Sequence, residues 1–63
     1  MNYAEAIKLL RKRLLFTQTE LAQKVGVAFI SINRWENGHC EPTMKFKRKL
    51  APLFREYGIE VEE

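Results

Sequence analysis

Thr17-Gln18-Thr19-Glu20-Leu21-Ala22-Gln23-Lys24-Val25-Gly26-Val27-Ala28-Phe29-Ile30-Ser31-Ile32-Asn33-Arg34-Trp35-Glu36-Asn37-Gly38 is the stretch that decides the fold. Thr17 and Glu20 stand at capping-box spacing: the Thr17 hydroxyl can accept from the Glu20 amide while the Glu20 carboxylate reaches back. A helix over 18–25 follows, with Leu21, Ala22 and Val25 turned inward. Gly26 ends it, because the residue just past a helix often takes a positive φ that glycine adopts freely. A second short helix follows almost at once, over 28–37, and Gly38 ends that one. Ala22 falls where the two axes come closest, so a larger side chain would push them apart. Leu21, Val25, Val27, Ile32 and Trp35 supply the apolar lock between them.

Working outward, Asn2 can cap a first helix over 3–15, whose stripe is Tyr3, Ile7, Leu10 and Leu14. Beyond Gly38 the run His39-Cys40-Glu41-Pro42 reads as a loop, and Thr43 can cap a last helix. The stripe of that helix is Phe46, Leu50, Leu53, Phe54 and Tyr57. Pro52 lies inside it and predicts a kink or a break there. Gly58 closes the pattern, and the strand formers in Ile59-Glu60-Val61 are too few for a sheet. The expectation is an all-α bundle of four helices, or five if Pro52 breaks the last. With 63 residues the chain has room for one domain, over 1–58, and a short tail over 59–63. A chain of that size buries only about 60% of its unfolded surface, which leaves little space for an enclosed catalytic pocket.

The composition is globular, at 46% hydrophobic and 30% charged. No apolar run approaches the roughly 18 residues that span a bilayer. The start, Met1-Asn2-Tyr3-Ala4-Glu5, lacks the basic and apolar regions of a signal peptide, so the expected location is the cytoplasm, with no membrane association. The net charge is +3, unevenly spread. Residues 1–55 hold all 11 Lys and Arg against Glu5, Glu20, Glu36 and Glu41, a net +7, whereas the last eight hold four glutamates and no base. A basic body suits a polyanionic partner, although many small domains are mildly basic.

The helix over 28–37 can be unrolled at about 100° per residue. Ile32, Trp35 and Ala28 fall on one side, which places Trp35 in the core. Ile30, Asn33, Arg34 and Asn37 fall on the other, with Phe29 and Ser31 at the boundaries. In a major groove that outward mixture has a use. Arginine can fork onto guanine O6 and N7, asparagine can pair with adenine, and an apolar side chain can pack on a thymine methyl. Phe29, Ile30, Asn33 and Arg34 are therefore the expected base readers, with Phe29 alternatively at the edge of the core. Lys45, Lys47, Arg48 and Lys49 form a basic run that reads by itself as a solvated helix face.

The small residue at 22, the glycine four positions on, and apolar residues six and nine further on match the spacing of a DNA-binding helix-turn-helix. An ordinary αα-hairpin is the alternative. The chain resembles the phage repressor and Cro-like family, also called the XRE family. The resemblance rests on Thr17-Gln18-x-x-Leu21-Ala22, Val25-Gly26-Val27, Ile32-Asn33-Arg34-Trp35-Glu36-Asn37-Gly38 and Pro42, and spans residues 3–57. It implies a lambda-repressor-like bundle, a double-stranded DNA partner and a role in transcription. It also implies that Gln18 contacts a phosphate and braces the recognition helix, that Asn37 contacts the backbone, and that Arg11 pairs with Glu36. The expected phosphate-contacting set is Gln18, Thr19, Ser31, Asn37 and Lys45. Three residues depart from the family pattern. Ala28 stands where Ser or Thr often caps, and Phe29 and Ile30 stand where polar residues are usual.

Other functions are less well supported by the sequence. Cys40 is the single cysteine and His39 its neighbour, so neither a disulfide nor a tetrahedral metal site can be completed. A nucleophile–base pair needs a convergence that adjacent residues rarely give. No cofactor or small-molecule ligand is implied. The main competitor is a protein-interaction module, such as an antitoxin or docking domain, using the same exposed Phe29 and Ile30. A homodimer would suit so small a module, and it would have to use the last helix or residues 59–61.

Overall fold

The computed structural model describes residues 1–62. Four helices follow in order: α1 (Tyr3–Leu14), α2 (Gln18–Val25), α3 (Phe29–Glu36) and α4 (Met44–Glu56). No strand occurs among the described residues, and none of their helices is long and apolar enough to cross a membrane.

The starts of the helices are set by local chemistry. The Asn2 side chain accepts from the Glu5 amide and opens α1. Thr17 and Glu20 form the reciprocal capping box at α2, with bonds of 3.2 and 2.8 Å. Thr43 stands at the cap position of α4, but its hydroxyl makes no capping bond. Ala28 caps α3 with no side-chain bond at all. It is exposed, whereas helical periodicity placed it on the inward side. The reason is that the helix begins one residue later, so the 100° advance does not extend back to position 28.

The ends share one device. At each, an N–H reaches back five residues to a carbonyl: Phe16 to Arg11, Val27 to Ala22, His39 to Arg34 and Ile59 to Phe54. This is the six-to-one bond of a Schellman ending, which needs a left-handed residue just before the donor. Gly26 supplies it at φ 81°, and Gly38 and Gly58 fill the same place. At the end of α1 the place falls to Leu15, at φ 58° and 89% exposed. The sequence reading carried α1 through Leu15, since nothing in a leucine signals a left-handed stop.

α4 is a single helix with Pro52 inside it, so the bundle has four helices and not five. A proline deletes one bond to the carbonyl four residues back, here that of Arg48. Both residues are exposed, so solvent can satisfy the released carbonyl.

Ile7, Leu10, Leu21, Ile32 and Leu50 are fully buried, and each helix contributes at least one of them. α3 packs chiefly on α2 and α1, with Trp35 5% exposed and tilted against Phe46 at 5.7 Å between ring centres. Ile59 joins this core at 5% exposure, and Glu62 pairs with the N-terminus through both backbone and side chain. Glu63, the last residue of the acidic tail, lies outside the described residues.

Candidate nucleic-acid interface

The site is built on α3 and the first turn of α2. The left-handed Gly26 turns the chain so that only three residues separate the end of α2 from the start of α3. A Cβ at Gly26 would meet only the Lys49 ammonium, at 3.4 Å, so backbone conformation and not space demands glycine there. Lys49 also donates to the Val25 carbonyl at 3.4 Å, placing a cation at the negative end of α2.

Ile32, Trp35 and Glu36 anchor the inner side of α3. Across it, Phe29 and Ile30 are 48% and 51% exposed, and Arg34 and Asn37 are exposed as well. Ser31 and Asn33 are half-buried, as is Gln18 at the start of α2. Thr19, next along α2, is exposed, and so is Lys45 in the first turn of α4. The Lys45 ammonium lies 5.5 Å above the Phe46 ring, and that of Lys49 lies 5.6 Å from the same ring.

Under this surface lies an ion pair. Arg11 Nε donates to Glu36 Oε2 at 2.8 Å, and its second nitrogen donates to Oε1 at 3.1 Å. The Glu36 side chain is 3% exposed and that of Arg11 25%. Hydrogen bonding to Glu36 holds the Arg11 guanidinium above its ordinary pKa, against the opposing effect of burial and with the help of the carboxylate charge. A raised arginine value means that this stabilisation is fully present below the ordinary value and is lost only as strongly alkaline pH passes the raised one.

The pair continues outward through amides. Gln18 Nε2 donates to Glu36 Oε1 at 3.1 Å, Asn33 Nδ2 to Gln18 Oε1 at 3.4 Å, and Asn37 Nδ2 to Asn33 Oδ1 at 3.1 Å. Gln18, Asn33 and Asn37, which the sequence reading divided between base and phosphate contacts, are thus connected. Thr19, Ser31 and Lys45 stand outside this chain of bonds. The link through Asn33 escaped the sequence reading. Its signal was the four-residue spacing of Asn33 and Asn37, which puts their side chains side by side on a helix.

His39 and Cys40 are exposed in the loop after α3. Among the described residues no group of three or more His, Cys, Asp or Glu is placed to hold a metal.

Comparison with known proteins gives two matches and one negative. Residues 7–59 match the family described as helix-turn-helix. The chain is 38% identical over 45 residues to the HTH-type transcriptional regulator DicA of Escherichia coli (strain K12). That alignment covers 71% of this chain and 33% of DicA, so the chain spans about a third of that relative's length. No solved structure matches.

Proposed function

This chain belongs to the helix-turn-helix family, in its phage repressor and Cro-like (XRE) branch, and we propose that it binds double-stranded DNA as a transcriptional regulator, with α3 in the major groove. An eight-residue helix is about 12 Å long, and the major groove admits a helix. Such a helix reaches the edges of only three or four base pairs. Two copies related by a two-fold axis would double that contact. Arg34 forks onto a guanine. Ile30 and Phe29 pack against thymine methyl groups. Gln18, Thr19, Ser31, Asn37 and Lys45 hold the backbone on either side.

The observation that carries this reading is the outward face of α3. Arg34 and Asn37 are exposed there beside Gln18, on a body with net charge +7 over residues 1–55. An arginine on a solvent-facing helix needs no explanation. An arginine one turn from a half-exposed isoleucine and next to a braced amide does, and a base-pair edge supplies acceptors for the one and a methyl group for the other.

Fluorescence anisotropy of labelled duplex DNA at several salt concentrations tests the proposal. Affinity should fall with salt, with a log–log slope of about −0.9 for each phosphate that a cation such as Lys45 neutralises. Absence of binding at low salt would refute it. That result would favour the second reading, in which Phe29 and Ile30, 48% and 51% exposed, dock on a protein.

A further inference from the structure

We infer that Asn33 is a positioning residue, joining the backbone contacts Gln18 and Asn37 into one oriented unit, and does not read base edges; the DNA-binding half of this inference rests on the function proposed above. The buried carboxylate of Glu36 gives the unit its direction. Gln18 must turn its N–H₂ toward Glu36 Oε1, 3.1 Å away, because the opposite orientation would set a carbonyl oxygen against a carboxylate oxygen. Gln18 Oε1 is thereby turned toward α3, where Asn33 Nδ2 donates to it at 3.4 Å. That fixes Asn33 in turn. Its Oδ1 faces Asn37, whose Nδ2 donates at 3.1 Å. Three amides in succession point a donor toward one carboxylate, which is itself held by two bonds from Arg11.

The consequence for recognition is chemical. An asparagine reads adenine by presenting its oxygen and its N–H₂ to the base together. Asn33 has both ends engaged inside the protein and is half-buried. To swing its amide outward onto a base edge it would have to abandon Gln18 and Asn37, since those two bonds fix the orientation of the group. By staying, it keeps two side chains at opposite ends of the α2–α3 unit from rotating freely. Each of those amides retains a second N–H, and a donor already oriented loses less freedom when it meets a phosphate.

Two measurements test this. The first compares affinities of the wild type and Asn33→Ala for a duplex selected from a random library and for a random duplex of equal length. The expected result is a loss of roughly three- to tenfold on both, the effect of releasing two side chains that must be reordered on binding. A loss confined to the selected duplex, and traceable to one base pair, would overturn the inference and make Asn33 a base reader.

The second measurement uses the protein without DNA and follows side-chain N–H₂ resonances by ¹⁵N NMR. Glu36→Gln should shift the Asn37 side-chain amide, whose N–H₂ donates to Asn33 and not to the Glu36 carboxylate, and should shift it far less in an Asn33→Ala background. Gln18→Ala serves the same purpose if Glu36→Gln fails to fold. An Asn37 amide indifferent to both changes would overturn the relay. If no duplex binds, the proposed function falls, and the amide measurement still judges the relay by itself.

Discussion

Removing one partner of the Arg11–Glu36 pair should cost very different amounts according to which partner goes. Glu36 is 3% exposed and accepts three hydrogen bonds, two from Arg11 and one from Gln18. In Arg11→Ala that carboxylate stays behind in the interior, with only Gln18 to hold it. In Glu36→Ala the group left behind is a guanidinium already 25% exposed, on a side chain long enough to swing into water. Breaking a buried pair by deleting one member costs about 3–5 kcal/mol, and Arg11→Ala belongs in that range. Glu36→Ala belongs below it, at about 1–3 kcal/mol, because the surviving charge recovers its hydration. A chain of 63 residues has a total stability of about 3–9 kcal/mol. Arg11→Ala should therefore be marginal or unfolded at room temperature, and Glu36→Ala folded with a lowered urea midpoint. The double change Arg11→Met, Glu36→Leu should recover much of the loss, since no charge is then stranded. Urea titrations followed by circular dichroism give all three numbers. A Glu36→Ala loss larger than that of Arg11→Ala would refute the reasoning, as would midpoints that do not move.

Further predictions follow from single positions. Leu15 is left-handed and 89% exposed, so Leu15→Gly should stabilise by about 0.5–1 kcal/mol, the steric gain outweighing the added freedom of the unfolded chain. Gly26→Ala should destabilise by about 1–2 kcal/mol for the mirrored reason, and thermal melts check both signs. Ala28→Ser should add the capping bond that α3 lacks, about 1 kcal/mol, read in the same melts. If Ile30 packs on a thymine methyl, replacing that thymine by uracil in the selected duplex should weaken wild type and have far less effect on Ile30→Ala; equal losses in both proteins would detach Ile30 from that contact.

What could be read from the sequence was what short-range chemistry dictates. The capping box at Thr17 and Glu20, the glycine at 26 and the inward Trp35 each follow from two or three residues whose roles hardly depend on the rest of the chain. Where burial or backbone context decides, the sequence was silent or misleading. Pro52 signals a break, yet its exposure lets the helix continue. Leu15 takes a glycine's place because Phe16 and Arg11 close the same ending there. Ile59 looks like part of a tail and is held in the core by the bond its N–H makes to Phe54. For the site, periodicity identified the outward face, and the family resemblance pointed to the ion pair. Neither could show that Asn33 spends its amide on Gln18 and Asn37, because that depends on the distance between two helices.

The most direct test of the central claim is a map of the bound surface. Backbone amide shifts should be followed by NMR as a selected duplex is added to the folded protein. Changes should concentrate on residues 28–37, on Gln18 and Thr19, and at Lys45, while Lys8 and Lys12, exposed and basic on α1, stay nearly unmoved. Changes centred on α1, with α3 unaffected, would show that DNA meets the protein elsewhere and would contradict the account.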